Sequence, residues 1–345
     1  MKKTAYMLLP LALLLGACAK TVTTSDNALN KEFYEKWIAQ AIQDEEYPDA
    51  RTEPFGNGIY ILEETVGTGR EYSGEDFVWV DYTVSDLAGN ISFTTDEQIS
   101  RRLQVWDAGN YYGPRPWTVS NTTITVGLQD ILTGMRVGGR RKALVPSWLM
   151  TYDRYGSAAE YLDHSPSGVA TAVYDVTLTG FTANMTDHQI KQMEEYGKAT
   201  YAKADSLQYG FYYYPIKKDE SAESFSSTAK VKIDYIGRRM DGSVFDTSVE
   251  RVAKDNGLWD ESRTYGPTTI QWAEEYTGLT MTAAGSSESV TPITGFQLAL
   301  WQMRRGSQGE AVFFSNLGYG ASGNGPAIAG YSPLRFEITV VGVEE

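Results

Sequence analysis

The period of apolar and polar positions changes several times along the chain, and each change marks an element. Leu29, Phe33, Trp37 and Ala41 fall at four-residue steps with Glu and Lys between them, which predicts an amphipathic helix packing one face on a folded body. Residues 77–84 (FVWVDYTV) form a strand-like run followed by Gly89 as a turn and then Phe93. Residues 231–236 (VKIDYI) form another, followed by the Asp241-Gly242 turn and Phe245. Leu128, Ile131, Leu132 and Met135 lie at i, i+3, i+4 and i+7, as do Phe296, Ala299, Leu300 and Met303. Each set predicts one short helix with a buried stripe. A longer helical stretch begins at Thr186, whose hydroxyl can cap while Gln189 reaches back, and continues through Ile190, Met193 and Tyr201.

These patterns occur twice in the same order. Gly127, Met135 and Gly138 fit G-x7-M-x2-G, as do Gly295, Met303 and Gly306. Each half then reaches a Tyr-Gly pair (Tyr155-Gly156, Tyr319-Gly320) and closes on an alternating run, residues 173–178 and 336–340. Strands with one short helix make α+β domains, here built twice. The expected organisation is a signal segment over 1–17, a tether and N-terminal helix over 18–59, a first domain over 60–182, a linker helix over 183–204 and a second domain over 205–345.

Composition narrows the chemistry. A length of 345 residues suits two globular domains, and a net charge of -14 with no basic cluster longer than Arg140-Arg141-Lys142 excludes nucleic acid as a main partner. Two histidines, His164 and His188, and a single cysteine supply no zinc-ligand set and no Ser/His/Asp or Cys/His arrangement. No metal or cofactor is expected, and His188 is expected on a solvated helix face. The start of the chain, Lys2-Lys3, an apolar run over 5–15 and then Leu15-Gly16-Ala17-Cys18, resembles a bacterial lipoprotein signal. That resemblance implies lipid attachment at Cys18, with several acyl chains anchoring the body to a membrane through a polar tether over 19–27. With no acidic run after Cys18, the expected place is the outer membrane, facing the periplasm.

Gly318, Gly320 and Gly323 spell G-x-G-x-x-G after an apolar run over 311–314, as in a dinucleotide loop. Such a loop must open a helix, and Pro326 with Gly330 breaks any helical period there, so no nucleotide is expected.

The order VDY, G-x3-F, G-x7-M-x2-G, YG and YDVTL in the first half, and IDY, DGSVFDTS, G-x7-M-x2-G, LGYG and RFEITV in the second, resembles the FKBP-type peptidyl-prolyl cis-trans isomerase family over nearly all of 60–182 and 205–345. The resemblance implies a curved antiparallel sheet wrapped on one short helix, with an apolar pocket between them and proline-containing polypeptides as substrates. In the second half it implies Tyr235 and Phe245 as one wall, Phe336 as another and Ile328 on the loop side. Asp246 stands as the pocket aspartate, Tyr319 as a hydroxyl for a substrate carbonyl, and the Ile293 main-chain N–H as a holder of a second carbonyl. Phe296 takes the floor position where the family usually has Trp. In the first half Tyr82, Phe93, Tyr155 and Tyr174 match, but Thr94 is read in place of the aspartate, Leu128 in place of the floor residue and Thr125 in place of the isoleucine, so that copy is expected to be weak or inactive.

Both halves carry an insertion before the short helix. One holds Tyr111, Tyr112 and Trp117; the other, over 250–292, holds Trp259, Tyr265, Trp272 and Tyr276. Aromatics exposed on long loops bind partners, whereas aromatics folded down as lids that fill the pocket make the domains non-catalytic. The leading expectation is thus an envelope lipoprotein that isomerises X-Pro bonds through its second half. The other is a non-catalytic binding lipoprotein whose insertions hold a glycan or a protein.

Overall fold

The computed structural model describes residues 26–51, 54–120, 123–165, 169–203, 206–218 and 223–344. Cys18 and the expected signal segment over 1–17 lie outside the described residues. The fold is α+β, with two antiparallel sheets and few helices. Helix α1 (Asp26–Gln43) precedes a six-stranded sheet made of β1 (Tyr60–Thr65), β2 (Phe77–Ser85), β3 (Ile91–Thr94), β4 (Arg115–Thr118), β5 (Arg140–Val145) and β6 (Ala172–Thr182). Helices α2 (Glu97–Arg102), α3 (Val126–Leu132) and α4 (Ala158–His164) lie in its connections. Helix α5 (Met185–Tyr201) leads to an eight-stranded sheet. Its strands are β7 (Phe211–Lys217), β8 (Lys230–Arg239), β9 (Val244–Thr247), β10 (Thr268–Gln271), β11 (Thr280–Thr282), β12 (Ser289–Val290), β13 (Gln308–Phe313) and β14 (Leu334–Glu344), with α6 (Glu250–Asp255) and α7 (Thr294–Trp301) between them.

The two sheets share one path. The first runs β1-β5-β6-β2, with β3 and β4 both on β2; the second runs β7-β13-β14-β8, with β9 and β10 both on β8. The β11–β12 hairpin extends only the second. At the edges, β12 is two residues long, and β7 carries Pro215 beside a register shift opposite Gln308 and Gly309.

Packing explains the repeated glycine motif. A Cβ on Gly127 would come within 2.5 Å of Val145, and one on Gly295 within 2.4 Å of the Phe313 ring, so only glycine lets the short helix lie this close to its sheet. The closing glycines, Gly138 (φ 82°) and Gly306 (φ 70°), turn the chain back in the left-handed region. The helix stripes are buried as their spacing predicts, with Ile131, Leu132, Ala299, Leu300 and Met303 at 0 % exposure.

Two helices differ in detail from expectation. On α1 the buried face is Tyr34, Ile38 and Ala41, while Leu29 and Phe33 are exposed. The cause is Tyr34, whose ring packs on Trp148 and Tyr60 and whose hydroxyl donates to the Gly58 carbonyl, rotating the helix by part of a turn. Helix α5 is capped by Asn184, whose side chain accepts from the Asp187 N–H at 3.1 Å, rather than by Thr186. Gln189 is buried and accepts the Ser315 N–H at 2.7 Å, which ties the linker to the second half. A second tie is Glu310, buried on β13. It accepts from Tyr196 and Tyr201 at 2.7 and 2.6 Å and pairs with Arg335 at 2.9 Å. Burial first, and then this carboxylate, pushes the Tyr196 pKa up to about 12.

Candidate active site

The second-half residues converge from separate elements. Tyr235 comes from the middle of β8, Phe245 and Asp246 from β9, Phe296 from α7 and Phe336 from β14. Strand alternation turns Tyr235 and Phe336 to the same inner face, where the Phe336 ring meets Phe296 at 4.9 Å, Phe245 at 5.6 Å and Tyr235 at 6.4 Å. Phe296 stands edge-on to Tyr235 at 5.7 Å. Ile328, nearly fully buried, reaches the same core from a tight loop in which Asn324 and Ile328 exchange backbone hydrogen bonds. Tyr235, Phe296, Phe336 and Ile328 thus form a buried floor, and the half-exposed Phe245, Asp246, Ile293 and Tyr319 stand around it. Among the described residues no acceptor meets the Ile293 N–H, at the start of α7.

The polar part of the site is a chain of charge-assisted bonds. The Tyr235 hydroxyl donates to Asp246 Oδ2 at 2.7 Å, and Arg263 Nη1 donates to Asp246 Oδ1, also at 2.7 Å. Arg263 Nη2 holds the Thr247 carbonyl at 2.8 Å. Burial, then the Asp246 charge, drives the Tyr235 pKa well above the phenol range, so its hydroxyl stays a proton donor. The Tyr319 pKa is raised for the same two reasons, and Asn324 pulls it back by hydrogen bonding. Burial works against the Arg263 charge, but Asp246 outweighs it and the guanidinium pKa rises. Gly237 completes the geometry, because a Cβ there would meet the Phe245 ring at 2.8 Å and the Phe336 ring at 3.0 Å.

Arg263 was not legible as a site residue, although a signal for it exists. Trp106-Asp107 and Tyr112-Gly113-Pro114 recur as Trp259-Asp260 and Tyr265-Gly266-Pro267 at the same spacing. The structure repeats them too. In each copy the Asp N–H donates to the Tyr hydroxyl at 3.1 Å, and the Gly N–H bonds the strand carbonyl at Thr95 or Ser248. Counted from these anchors, Arg263 corresponds to Asn110.

The same register corrects the first half. Tyr82 N–H donates to Thr95 and Tyr235 N–H to Ser248, each thirteen residues on, so Thr94 corresponds to Thr247 and Phe93 to Asp246. Phe93, not Thr94, therefore occupies the place of the aspartate: it lies opposite Val84 as Asp246 lies opposite Gly237. The turns before β3 and β9 have the same length, since Phe93 follows Gly89 at the same spacing as Asp246 follows Gly242; it is matching Phe93 to Phe245 by residue type that misassigns the position. Phe93 stacks on Tyr82 at 4.9 Å, and Trp117 of β4 stands edge-on to Tyr82 at 5.1 Å. Burial raises the Tyr82 pKa, and the Trp117 indole, donating to the hydroxyl, holds it back. Tyr174 lies close by at the Phe336 position, opposite Val84. Tyr155 is not part of this group, since its ring packs on Tyr161 at 5.1 Å and His164 at 5.2 Å.

The insertions are folded in. Trp117 and Trp272 are buried, the latter stacked on Trp301 at 5.6 Å, and Tyr111, Tyr112, Tyr265 and Tyr276 are half-buried. Of the aromatics expected on exposed loops only Trp259 is exposed, beneath the Lys254 ammonium at 5.4 Å. His188 is exposed as expected but not free, because its ring lies 4.3 Å from that of Trp79.

Similarity to known proteins points the same way as this geometry. The family model of the FKBP-type peptidyl-prolyl cis-trans isomerases matches residues 282–341, which include Ile293, Phe296, Tyr319, Ile328 and Phe336. A macrophage infectivity potentiator of Trypanosoma cruzi is 26 % identical over 148 residues, 43 % of this chain and 60 % of the relative's length. Solved structures matched by the chain include a peptidyl-prolyl cis-trans isomerase of Pseudomonas syringae pv. tomato (20 % identity, 48 % of this chain and 100 % of that one, TM-score 0.32). The three FKBP domains of wheat FKBP73 are 15 % identical over 86 % of this chain and 99 % of that one, with a TM-score of 0.29. Residues 282–341 of the second half thus match the FKBP-type peptidyl-prolyl cis-trans isomerase family.

Proposed function

We propose that the second half catalyses cis-trans isomerisation of X-Pro bonds in polypeptides, with Tyr235, Phe245, Asp246, Ile293, Phe296, Tyr319, Ile328 and Phe336 forming the site. The observation that carries this reading is the meeting of Tyr235, Phe245, Phe296 and Phe336 from four elements around a single hydrogen-bonded aspartate. The amide C–N bond resists rotation by about 18–20 kcal/mol because of its double-bond character, and lowering that barrier requires no proton transfer. Aromatic walls take the prolyl ring and strip water from its carbonyl, which favours the less polar twisted state over the planar ones. The Tyr319 hydroxyl and the Ile293 N–H orient flanking carbonyls. Asp246 fixes Tyr235 and Arg263 and so holds the wall in shape. Each 1.4 kcal/mol or so gained in the twisted state gives about a tenfold rate.

The same proposal places the chain in the cell envelope, lipid-anchored at Cys18 in the outer membrane and facing the periplasm, as the composition of residues 1–27 supports. A protease-coupled assay on a proline peptide tests the enzymatic part: the full chain should accelerate isomerisation. No rate above background from a chain shown to be folded by circular dichroism would overturn it. Labelling with a radioactive fatty acid that is lost in Cys18→Ala tests the anchor.

A further inference from the structure

The wall-forming loop of the second-half site is held from outside its own domain. Residues 326–331 carry Ile328 and lie against the first-half insertion. The Tyr111 N–H donates to the Pro326 carbonyl at 2.9 Å, and Arg115 Nη2 reaches the same oxygen at 3.3 Å. Arg239, at the end of β8 and nearly fully buried, spans both halves with one guanidinium. Its Nε donates to the Ala327 carbonyl at 2.7 Å, Nη2 to the first-half Gly109 carbonyl at 2.5 Å, and Nη1 to Ser243 Oγ at 2.9 Å. The guanidinium also lies 5.8 Å from the Tyr111 ring and 6.0 Å from the ring of Phe245. Among the described residues it makes no ion pair, so main-chain carbonyls and one hydroxyl satisfy a buried cation whose planar fork fits them. At the far end of the loop, Tyr331 sits at a φ of 57°, a conformation costly for a residue with a Cβ. Its ring is held by Phe77 of the first half at 5.3 Å and its hydroxyl by Thr118 at 3.4 Å.

From these contacts we propose that the first half is a positioning partner of the second-half site, with Arg239 and Arg115 as positioning residues that fix the segment bearing Ile328. The inference builds on the isomerase reading for its kinetic consequence, but its physical core does not depend on it. The repeated insertion then has two uses. In the second copy it delivers Arg263 to Asp246, and in the first copy it grips the second-half loop through Tyr111 and Arg115.

Amide hydrogen exchange on the full chain tests this. In Arg239→Met, and in Arg115→Met should the first variant fold poorly, exchange at residues 324–331 should quicken by about tenfold or more, while the β8–β14 ladder changes by less than about twofold. Arg239→Lys keeps the charge but loses the fork and should not restore protection. If the isomerase reading holds, kcat/KM for a proline peptide falls about three- to tenfold, mostly through KM, because a binding wall is loosened while the Asp246 chain is intact. Unchanged exchange over 324–331 in a folded variant, or faster exchange spread evenly over the whole sheet, overturns the inference whether or not the chain turns over peptides. A chain without isomerase activity but with local loosening would overturn the functional reading alone.

Discussion

The two halves share a strand path, a glycine motif and an insertion, yet differ at the few positions where chemistry is concentrated. In the second, Tyr235 donates to Asp246, Arg263 clamps that carboxylate, and Gly237 leaves room for Phe245 to lie over Phe336. In the first, the equivalent tyrosine is closed in by Phe93 and Trp117, Asn110 replaces the arginine and Val84 replaces the glycine. The scaffold is kept and the polar chain is lost. A fold this tolerant can retain its core while one copy turns from a site into a structural partner, because the core depends on apolar volume and the site on a handful of fixed polar atoms.

That contrast can be broken at several points. Phe336→Ala should have the largest effect, since the ring is buried against four others; urea unfolding should show a loss of about 3–5 kcal/mol, with peptide turnover abolished. Asp246→Ala should lower turnover by about tenfold to a hundredfold while leaving the circular dichroism spectrum unchanged, whereas Phe93→Ala at the corresponding first-half position should leave turnover alone. Equal effects from the two would erase the distinction between the halves. Gly237→Val writes the first-half residue into the second; the displaced Phe245 ring should cost about threefold to tenfold in kcat/KM. The smallest effect belongs to the junction. Although the residue is exposed overall, the ring face stacked on Trp79 is partly desolvated; this first, and Lys191 second, holds the His188 pKa below its usual 6.5, so the unfolded chain binds this proton more readily than the folded one. The stability it contributes is present above about pH 6.5 and lost as the pH falls below. The urea midpoint should drop between about pH 7.5 and 5.5 slightly more in the parent chain than in His188→Gln.

The sequence made the core legible because burial repeats with a fixed period. The stripes at Ile131, Leu132, Ala299 and Leu300 and the alternation of β2, β8 and β14 follow from it. Less legible were features set by contacts between distant segments. Leu29 and Phe33 keep the helical period but lose the inner face to Tyr34, whose partners Trp148 and Gly58 are far along the chain. The aspartate position in the first half was misplaced by one residue because Phe93 resembles Phe245 in type but not in register, and the hydrogen bonds from Tyr82 to Thr95 and from Tyr235 to Ser248 fix that register. Arg239 carries no motif, and its importance comes from where carbonyls of two halves happen to meet.

The blunt edges of the second sheet bear on how such a protein would handle its clients. An unfolded chain offers free N–H and C=O groups, and an open strand edge is a template that zips onto them without regard to sequence. Here one edge is two residues long and the other is interrupted by Pro215, which cannot donate to a ladder. A client would find little backbone to pair with at either margin. If the isomerase reading holds, retention is thereby left to side-chain recognition around proline, and a client's backbone has little edge on which to zip and seed an aggregate.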